Sequence, residues 1–216
     1  MKYRMYLSVA AVFLMVLCSA YASHASDSVY LAGEFKDGVY TNGALGTEAH
    51  FGSQWTALSP QEIAAIDAEV GKLLANSSSL TVEELMNMEL PVFYMVTPDA
   101  ADRVYMTVSN VGSAIVSVMT DPDTKAVVNS IMEDMADALR KNNSAMGLET
   151  TVNTIWTNFL GSERPCLYVK TMVSSTKPMY QKQVMCFKGE HHFQVTVESM
   201  NRDITDELLA MFQKIN

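Results

Sequence analysis

Sulfur-containing side chains are the most distinctive chemical groups in this sequence, which has 16 methionines and three cysteines among 216 residues. Thioether sulfur is a soft ligand that suits Cu(I), and the close pairs Met86 with Met88 and Met132 with Met135 have spacings that a copper site can use. Met132 and Met135 also fall at helical spacing among apolar residues, where flexible methionine side chains ordinarily fill a core. Core packing is therefore the favoured interpretation. The alternatives are an envelope copper site built from Met and His, and an adaptable apolar surface for a protein partner.

The sequence carries none of the common catalytic signatures. It has no Gly-x-Ser-x-Gly nucleophile elbow, no His-Glu-x-x-His metal helix, and no glycine-rich loop for a phosphate or a dinucleotide. His191 and His192 are neighbours in a predicted strand, so their side chains point to opposite faces and cannot line one site. His50 lies far away in sequence. We therefore predict no catalytic residue and no cofactor, and an enzyme with an unrecognised site is the alternative.

The first 25 residues have the three parts of a cleavable secretion signal. Two basic residues precede an apolar run from Met5 to Leu17, and small residues follow this run. Signal peptidase requires small side chains at the −3 and −1 positions, which favours cleavage before Ser23 or before Ser26. A membrane-spanning helix needs about 20 apolar residues, more than this run supplies. We therefore expect an exported protein that is periplasmic or extracellular.

Cleavage of the signal makes the chain more acidic. Loss of Lys2 and Arg4 changes the formal net charge from −9 to −11. Such a surface repels nucleic acid and anionic membranes. The remaining chain of about 190 residues is long enough for one sizeable core. We predict a protein partner of unknown identity in the cell envelope, with no nucleic acid and no membrane span.

Cleavage also removes Cys18 and leaves Cys166 and Cys186, which lie in two β-like runs flanking a polar turn. In a hairpin centred on Thr176, residues whose numbers sum to 352 face each other, and the two cysteines meet that condition. Facing cysteines in an oxidising compartment are expected to form a disulfide bond. The alternative is two separate buried thiols. The same register sets Lys170 opposite Lys182, an unfavourable pair, so a slip of one residue is a further alternative.

The order of predicted elements indicates an α+β domain. Residues 26–37 are polar and predict a loose leader, and residues 38–216 form a single domain. Apolar periodicity and capping residues predict, in order, two short strands around the Asn42-Gly43 turn, helices beginning at Ser59 and Thr81, strands over 91–97 and 103–110, a long helix from Asp121, four strands between 150 and 200, and a last helix over 205–215. An antiparallel sheet with helices packed on it satisfies this order.

One stretch of this domain, from Gly38 to Glu62, resembles the opening of PsbP-like (DcrB-like) domains of exported bacterial proteins. The matching residues are Tyr40-Thr41-Asn42, Leu45-Gly46, Trp55 and the capped helix at Ser59. The resemblance implies an α/β/α sandwich, with helices on both faces of an antiparallel sheet. It also implies an accessory or binding role, and no shared catalytic residues. We therefore expect an exported accessory or binding protein without evident catalytic activity, although fold analogy alone does not specify a function.

Overall fold

The computed structural model of this protein describes residues 31–59, 61–63, 65 and 91–215. The predicted signal peptide and the helix predicted at Thr81 lie outside these ranges. The strands of the described part are β1 Glu34–Lys36, β2 Val39–Asn42, β3 Thr47–His50, β4 Thr56–Ala57, β5 Pro91–Val96, β6 Asp102–Asn110, β7 Glu149–Phe159, β8 Ser162–Ser174, β9 Lys177–Lys188, β10 His191–Met200 and β11 Phe212–Lys214. The helices with described bounds are α1 Ser113–Thr120, α2 Lys125–Ala145 and α3 Thr205–Leu209.

Two antiparallel sheets organise these strands. The large sheet has seven strands in the order β4-β5-β6-β10-β9-β8-β7, so β6, β10 and β9 are central while β4 and β7 form the edges. The small sheet has four strands in the order β1-β2-β3-β11. Helices α1 and α2 pack on one face of the large sheet, and α3 packs with the small sheet on the other. The predicted α+β class is therefore confirmed.

The face of the large sheet toward the small sheet is closed by one continuous apolar cluster. Strand β10 contributes Phe193, Val195 and Val197 to it, while β2 contributes Tyr40 and α3 contributes Leu208. Tyr40 stacks on an aromatic ring of β5, with ring centroids 3.7 Å apart. We call this side of the sheet the apolar face.

The opposite side, which we call the helix face, carries α2 on an apolar stripe. Val128, Met132 and Leu139 are buried on this stripe at helical spacing. Asp121 caps the short helical turn that precedes α2, where its Oδ1 accepts a hydrogen bond from the backbone N–H of Asp123 at 2.9 Å. Ile131 lies beside this stripe on α2 and is exposed.

The residues that resemble PsbP-like domains hold the start of the domain together. The Asn42 side chain is fully buried and donates to the backbone oxygen of Leu31 at 2.8 Å and to Tyr40 Oη at 2.9 Å. Its oxygen accepts from the N–H of Leu45 at 2.8 Å, which fixes the turn into β3. The leader predicted to be loose is therefore ordered over Glu34–Lys36, where β1 pairs with β2.

The predicted last helix is wrong in its second half. Helix α3 ends at Leu209, and the chain then forms β11, which pairs with β3 of the small sheet. Phe212 packs against Phe159 at the end of β7, with ring centroids 5.6 Å apart. Pairing with an otherwise open strand and burial of this ring outweigh the local helical pattern, which is a weak determinant in a segment this short.

The predicted register of the β8–β9 hairpin is wrong by two residues. Cys166 faces Val184, and Cys186 is diagonal to it. Diagonal partners on an antiparallel sheet have Cα atoms about 7–8 Å apart, beyond the usual span of about 4.4–6.8 Å for a disulfide. Both cysteines are accordingly free thiols, buried on the apolar face.

The lysines of this hairpin explain why the observed register is preferred. In the predicted register Lys170 faces Lys182, whereas in the structure Lys170 faces Tyr180 and Tyr168 faces Lys182. The Nζ atoms of the two lysines lie 5.6 and 5.9 Å from the centroids of these rings. A repulsive pair is thus exchanged for two cation–π contacts. A shift of two residues also keeps every side chain on its own face, which a shift of one would not.

Candidate functional site

Nine polar side chains form a continuous buried band across the three central strands, on the helix face. We call it the polar band. Its members alternate with the residues of the apolar face along each strand, as the pleat requires, and each is at most 7% exposed. They are Arg103, Tyr105 and Thr107 of β6, His192, Gln194, Thr196 and Glu198 of β10, and Gln181 and Gln183 of β9.

Strand register sets the rows of this band. Glu198 lies between Arg103 and Gln181, and Thr196 lies between Tyr105 and Gln183. The band separates two apolar clusters of the helix face, one under α1 and α2 and one that contains Ile63. Buried polar residues in such numbers are unusual at the centre of a sheet, where apolar side chains are the rule.

The charged end of the polar band is fully hydrogen-bonded. Arg103 Nη1 donates to Glu198 Oε2 at 3.1 Å, and Tyr105 Oη donates to Glu198 Oε1 at 2.9 Å. Gln181 Nε2 donates to the same Oε1 at 2.9 Å and lies 3.2 Å from Tyr105 Oη. The single carboxylate is therefore neutralised by an arginine and accepts two further bonds, as a buried ion pair requires.

These contacts fix the protonation states at this end. Burial alone would lower the pKa of the Arg103 guanidinium, but the charge of Glu198, followed by Tyr94 and Tyr105, outweighs burial and raises it. Burial, and then the charge of Glu198, raises the pKa of Tyr105 well above its usual value. The tyrosine thus remains a neutral hydrogen-bond donor.

The uncharged end of the band has a different character, because three buried polar atoms there have no hydrogen-bond partner. They are Gln183 Oε1, Gln194 Oε1 and His192 Nε2. The amide nitrogens are occupied: Gln183 Nε2 donates to Gln181 Oε1 at 2.9 Å, and Gln194 Nε2 donates to Thr196 Oγ1 at 3.3 Å. Most buried polar atoms in proteins are hydrogen-bonded, so a group of three on one surface requires an explanation.

His192 closes the band at this end. Its ring stacks on Phe187, with centroids 4.9 Å apart and planes 23° from parallel. Burial lowers the pKa of His192 to about 4, so the imidazole is neutral at physiological pH. Helix α1 lies against β9 and β10. The uncharged end is therefore a buried surface with two amide groups and a neutral ring.

The histidines considered in the sequence do not converge on a catalytic or metal site. His50 is exposed on β3, where its Nε2 lies 3.0 Å from Glu48 Oε1. His191 points to the opposite side of β10 from His192, as the alternation of the strand predicts. Within the described residues, no three His, Cys, Asp or Glu side chains are grouped closely enough to hold a metal ion.

The sulfur atoms are also accounted for by packing where the structure describes them. Met132, on α2, is fully buried against the large sheet, and Met135 packs against the same cluster. Met86 and Met88 lie outside the described residues. Burial raises the pKa values of Cys166 and Cys186 to about 12, so both remain protonated and poorly nucleophilic.

A cleft lies at the surface, between the β7–β8 turn and the C-terminal elements. This cleft has a volume of about 400 Å³, and Asp206, Phe212 and Lys214 lie on its walls. None of its described lining residues has an unpartnered buried side-chain atom. The polar band is therefore the stronger candidate site.

Sequence reasoning missed the polar band, although its signal was present. Polar residues recur at every second position of β10 from His192 to Glu198, and at two successive alternate positions of β9. This period is usually produced by a strand with one solvated face. Only the burial of these side chains in the folded chain, where α1 lies against β9 and β10, shows that they are covered.

Comparisons with known proteins give a likeness of fold only. No protein-family model matches the chain, and no relative is found among curated proteins. Its structure is similar to the solution structure of cyanobacterial PsbP (CyanoP) from Synechocystis sp. PCC 6803. The TM-score is 0.47 at 8% sequence identity, over 82% of this chain and 91% of that one. Among the described helices, none has the length and apolar character needed to cross a bilayer.

Proposed function

We propose that this protein acts by binding, and that it holds a small, uncharged, polar molecule against the uncharged end of the polar band. The observation that supports this proposal most directly is the group of three buried atoms without partners, on Gln183, Gln194 and His192. A molecule with several hydroxyl or amide groups suits these atoms. Because Gln183 lies opposite Thr196, four residues and about 13 Å along β10 from His192, an extended polyol is required to reach all three.

The charges of the site favour an uncharged ligand. Arg103 and Glu198 neutralise each other at the far end of the band, so neither is available to a charged group. Placing a further ion beside two amides and a neutral imidazole would carry a large desolvation cost. Hydroxyl groups both donate and accept, and they therefore suit either orientation of the glutamine amides.

The energetic cost of the arrangement supports a role in binding. Each buried, unsatisfied polar atom costs about 1–3 kcal/mol, and a domain has only about 5–15 kcal/mol of net stability. Three such atoms on one surface are expensive for a purely structural element, in which apolar residues would serve better. A ligand that bonds them converts this cost into affinity and specificity.

We base the proposed cellular role on the sequence. An exported, acidic protein without catalytic motifs fits an accessory or binding protein of the cell envelope, and this remains a proposal, as does its protein partner. Neither a copper site nor a catalytic site has a specific observation in its favour among the described residues.

The proposal can be tested with probes of defined chemistry. Binding of glycerol, xylitol and acetamide would be measured by thermal shift and by NMR titration of the purified protein, with acetate as a charged comparison. Native mass spectrometry would first show whether a small molecule co-purifies. The test variant is Gln183→Leu/Gln194→Leu, and the matched control is Gln213→Leu, because Gln213 is exposed on β11.

We expect at least one neutral probe to bind the native protein and the Gln213→Leu control, and to bind the double variant at least about tenfold more weakly, the effect of one lost buried hydrogen bond. Acetate should not bind. Failure of every neutral probe, with no co-purifying molecule, would contradict the proposal, as would equal binding by the double variant.

A further inference from the structure

The edge strands of the two sheets are very unequal. Strand β7 has 11 residues, whereas β4 has two and β1 and β11 have three each. Strand β7 pairs with β8 in regular register along its whole length, and no described strand pairs with its outer edge. Long edge strands usually carry lysine, proline or a bulge that prevents pairing with another chain. Strand β7 has none of these, and Glu149 is its only charged residue.

We propose that β7 is an interface with a second copy of this chain. The two β7 strands would pair antiparallel about a two-fold axis perpendicular to the sheet, which joins two seven-stranded sheets into one. Such an axis pairs residues that lie on the same face, so each copy keeps its helix face and its apolar face continuous with those of the other.

The strand is self-complementary when the axis passes through Asn153. Val152 of one copy then lies opposite Thr154 of the other, and Thr151 lies opposite Ile155. Pairs of β-branched residues are favourable neighbours across an antiparallel ladder. Glu149 lies opposite Thr157, so no two like charges face each other along the strand.

The flank of α2 adds charge complementarity at the same axis. Glu133 accepts a hydrogen bond from Thr154 Oγ1, and Arg140 Nη2 donates to the backbone oxygen of Val152 at 2.6 Å. Because the axis through Asn153 exchanges the positions of Val152 and Thr154, it brings Glu133 of each copy to the Arg140 side of the other. Within one chain Arg140 Nη2 already lies 3.9 Å from Glu133 Oε2, and Arg140 Nη1 donates to Asp137 Oδ1 at 2.5 Å. Both Glu133 and Arg140 are partly exposed, at 56% and 38%, so the contact across the axis would extend this ion-pair network into the second copy.

The oligomeric state tests this inference independently of any ligand. Sedimentation velocity of the full chain over a wide range of micromolar concentrations should show a reversible monomer–dimer equilibrium. Asn153→Lys places two lysines directly opposite each other on the axis, and Asn153 is exposed, so the fold should be retained. We expect this variant to weaken the dimer about fivefold, as for a directly opposed like-charge pair.

A charge exchange tests the partner geometry. Glu133→Arg and Arg140→Glu should each weaken the dimer severalfold, because each creates like charges across the axis. The double exchange Glu133→Arg/Arg140→Glu should restore part of the affinity. Because it also restores the ion pair within one chain, the free energy of unfolding of each variant is measured beside the affinity, and a loss of dimer without an equal loss of stability identifies the contact across the axis. Circular dichroism of each variant checks the fold. A chain that is monomeric at every concentration, or a dimer unaffected by Asn153→Lys, would overturn the inference.

Discussion

The two faces of the large sheet are built from the same central strands but follow different rules. On β10, Phe193, Val195 and Val197 enter one continuous apolar cluster, while the alternate residues from His192 to Glu198 form the polar band. Both sets are buried. The apolar face lowers the free energy of the fold through burial at every position. The helix face includes buried polar groups, some of them unpartnered, in the place where apolar groups would stabilise more.

This difference separates residues that are needed for stability from residues that are better explained by binding. It also divides the polar band itself. The charged end is saturated with internal bonds and is expected to behave as a structural network, whereas the uncharged end retains hydrogen-bonding capacity. Substitutions at the charged end should therefore mainly lower stability, whereas substitutions at the uncharged end should mainly weaken binding.

The largest effect is expected at the charged end. Arg103→Met leaves the Glu198 carboxylate buried without its counter-ion, which should lower the free energy of unfolding by about 3–5 kcal/mol. Urea denaturation measures this loss. The double variant Arg103→Met/Glu198→Leu removes both charges and should recover most of it. A single variant that loses less than about 1 kcal/mol would show that the pair is not buried as described.

On the apolar face, Met106→Ala should lower the free energy of unfolding by about 2–5 kcal/mol through loss of apolar contact and formation of a cavity. Met106 is fully buried and is the neighbour of Tyr105 along β6. Probe binding, measured by NMR titration, should be unchanged once the fold is verified. Loss of binding without loss of stability would contradict the division between the two faces.

His192 should make stability depend on pH. Its pKa is about 4 in the folded protein against a usual 6.5, so between these values the unfolded chain binds more protons and stability falls as the pH falls. The contribution is fully present above about pH 6.5, and about 3 kcal/mol is lost by pH 4. Urea denaturation at several pH values should show a shallower dependence for His192→Gln. Equal slopes would refute the burial of this ring.

Gln183→Leu should have a small effect on stability. It removes the unpartnered Gln183 Oε1 but leaves Gln181 Oε1 without its donor, and because these two effects oppose each other the free energy of unfolding should change by less than about 1 kcal/mol. The same change should weaken probe binding about tenfold, the effect of one lost buried hydrogen bond. A loss of more than about 2 kcal/mol would show that Gln183 is structural, in the same class as the fully bonded groups of the charged end.

Oxidising conditions should not link the two free thiols, Cys166 and Cys186, by a disulfide bond. Cys166 and Cys186 lie in a register that does not place them opposite each other, and both are buried. Alkylation of the native protein should be slow, and alkylation after unfolding without reductant should modify both residues. A Cys166–Cys186 linked peptide in mass mapping would contradict the observed hairpin register.

Local patterns were sufficient to predict much of the fold. The apolar alternation of β5, β6 and the four later strands gave their order, and the residues Ser59 and Glu62 form the expected capping box, with Ser59 N–H donating to Glu62 Oε2 at 2.8 Å. Contacts between distant segments were not predictable in this way. Strand β11 exists because β3 accepts it, and the register of the β8–β9 hairpin depends on which side chains meet across it.

The candidate site was the least predictable part for a related reason. The polar residues of β9 and β10 have the period of a solvated strand face, and the sequence does not state that helices cover them. The missing information is the docking of α1 and α2, which depends on the apolar stripe of α2 meeting β8 and β9. A buried polar face can be recognised only once its cover is known.

A high-resolution crystal structure of the protein as purified, or after soaking with the best neutral probe, tests the central claim most directly. We predict one molecule on the polar band, with hydrogen bonds of about 2.7–3.2 Å to the two glutamine oxygens and to His192 Nε2. Electron density that shows only ordered water at Gln183, Gln194 and His192, or protein groups bonding all three, would show that the band is a structural element and would contradict the proposed binding function.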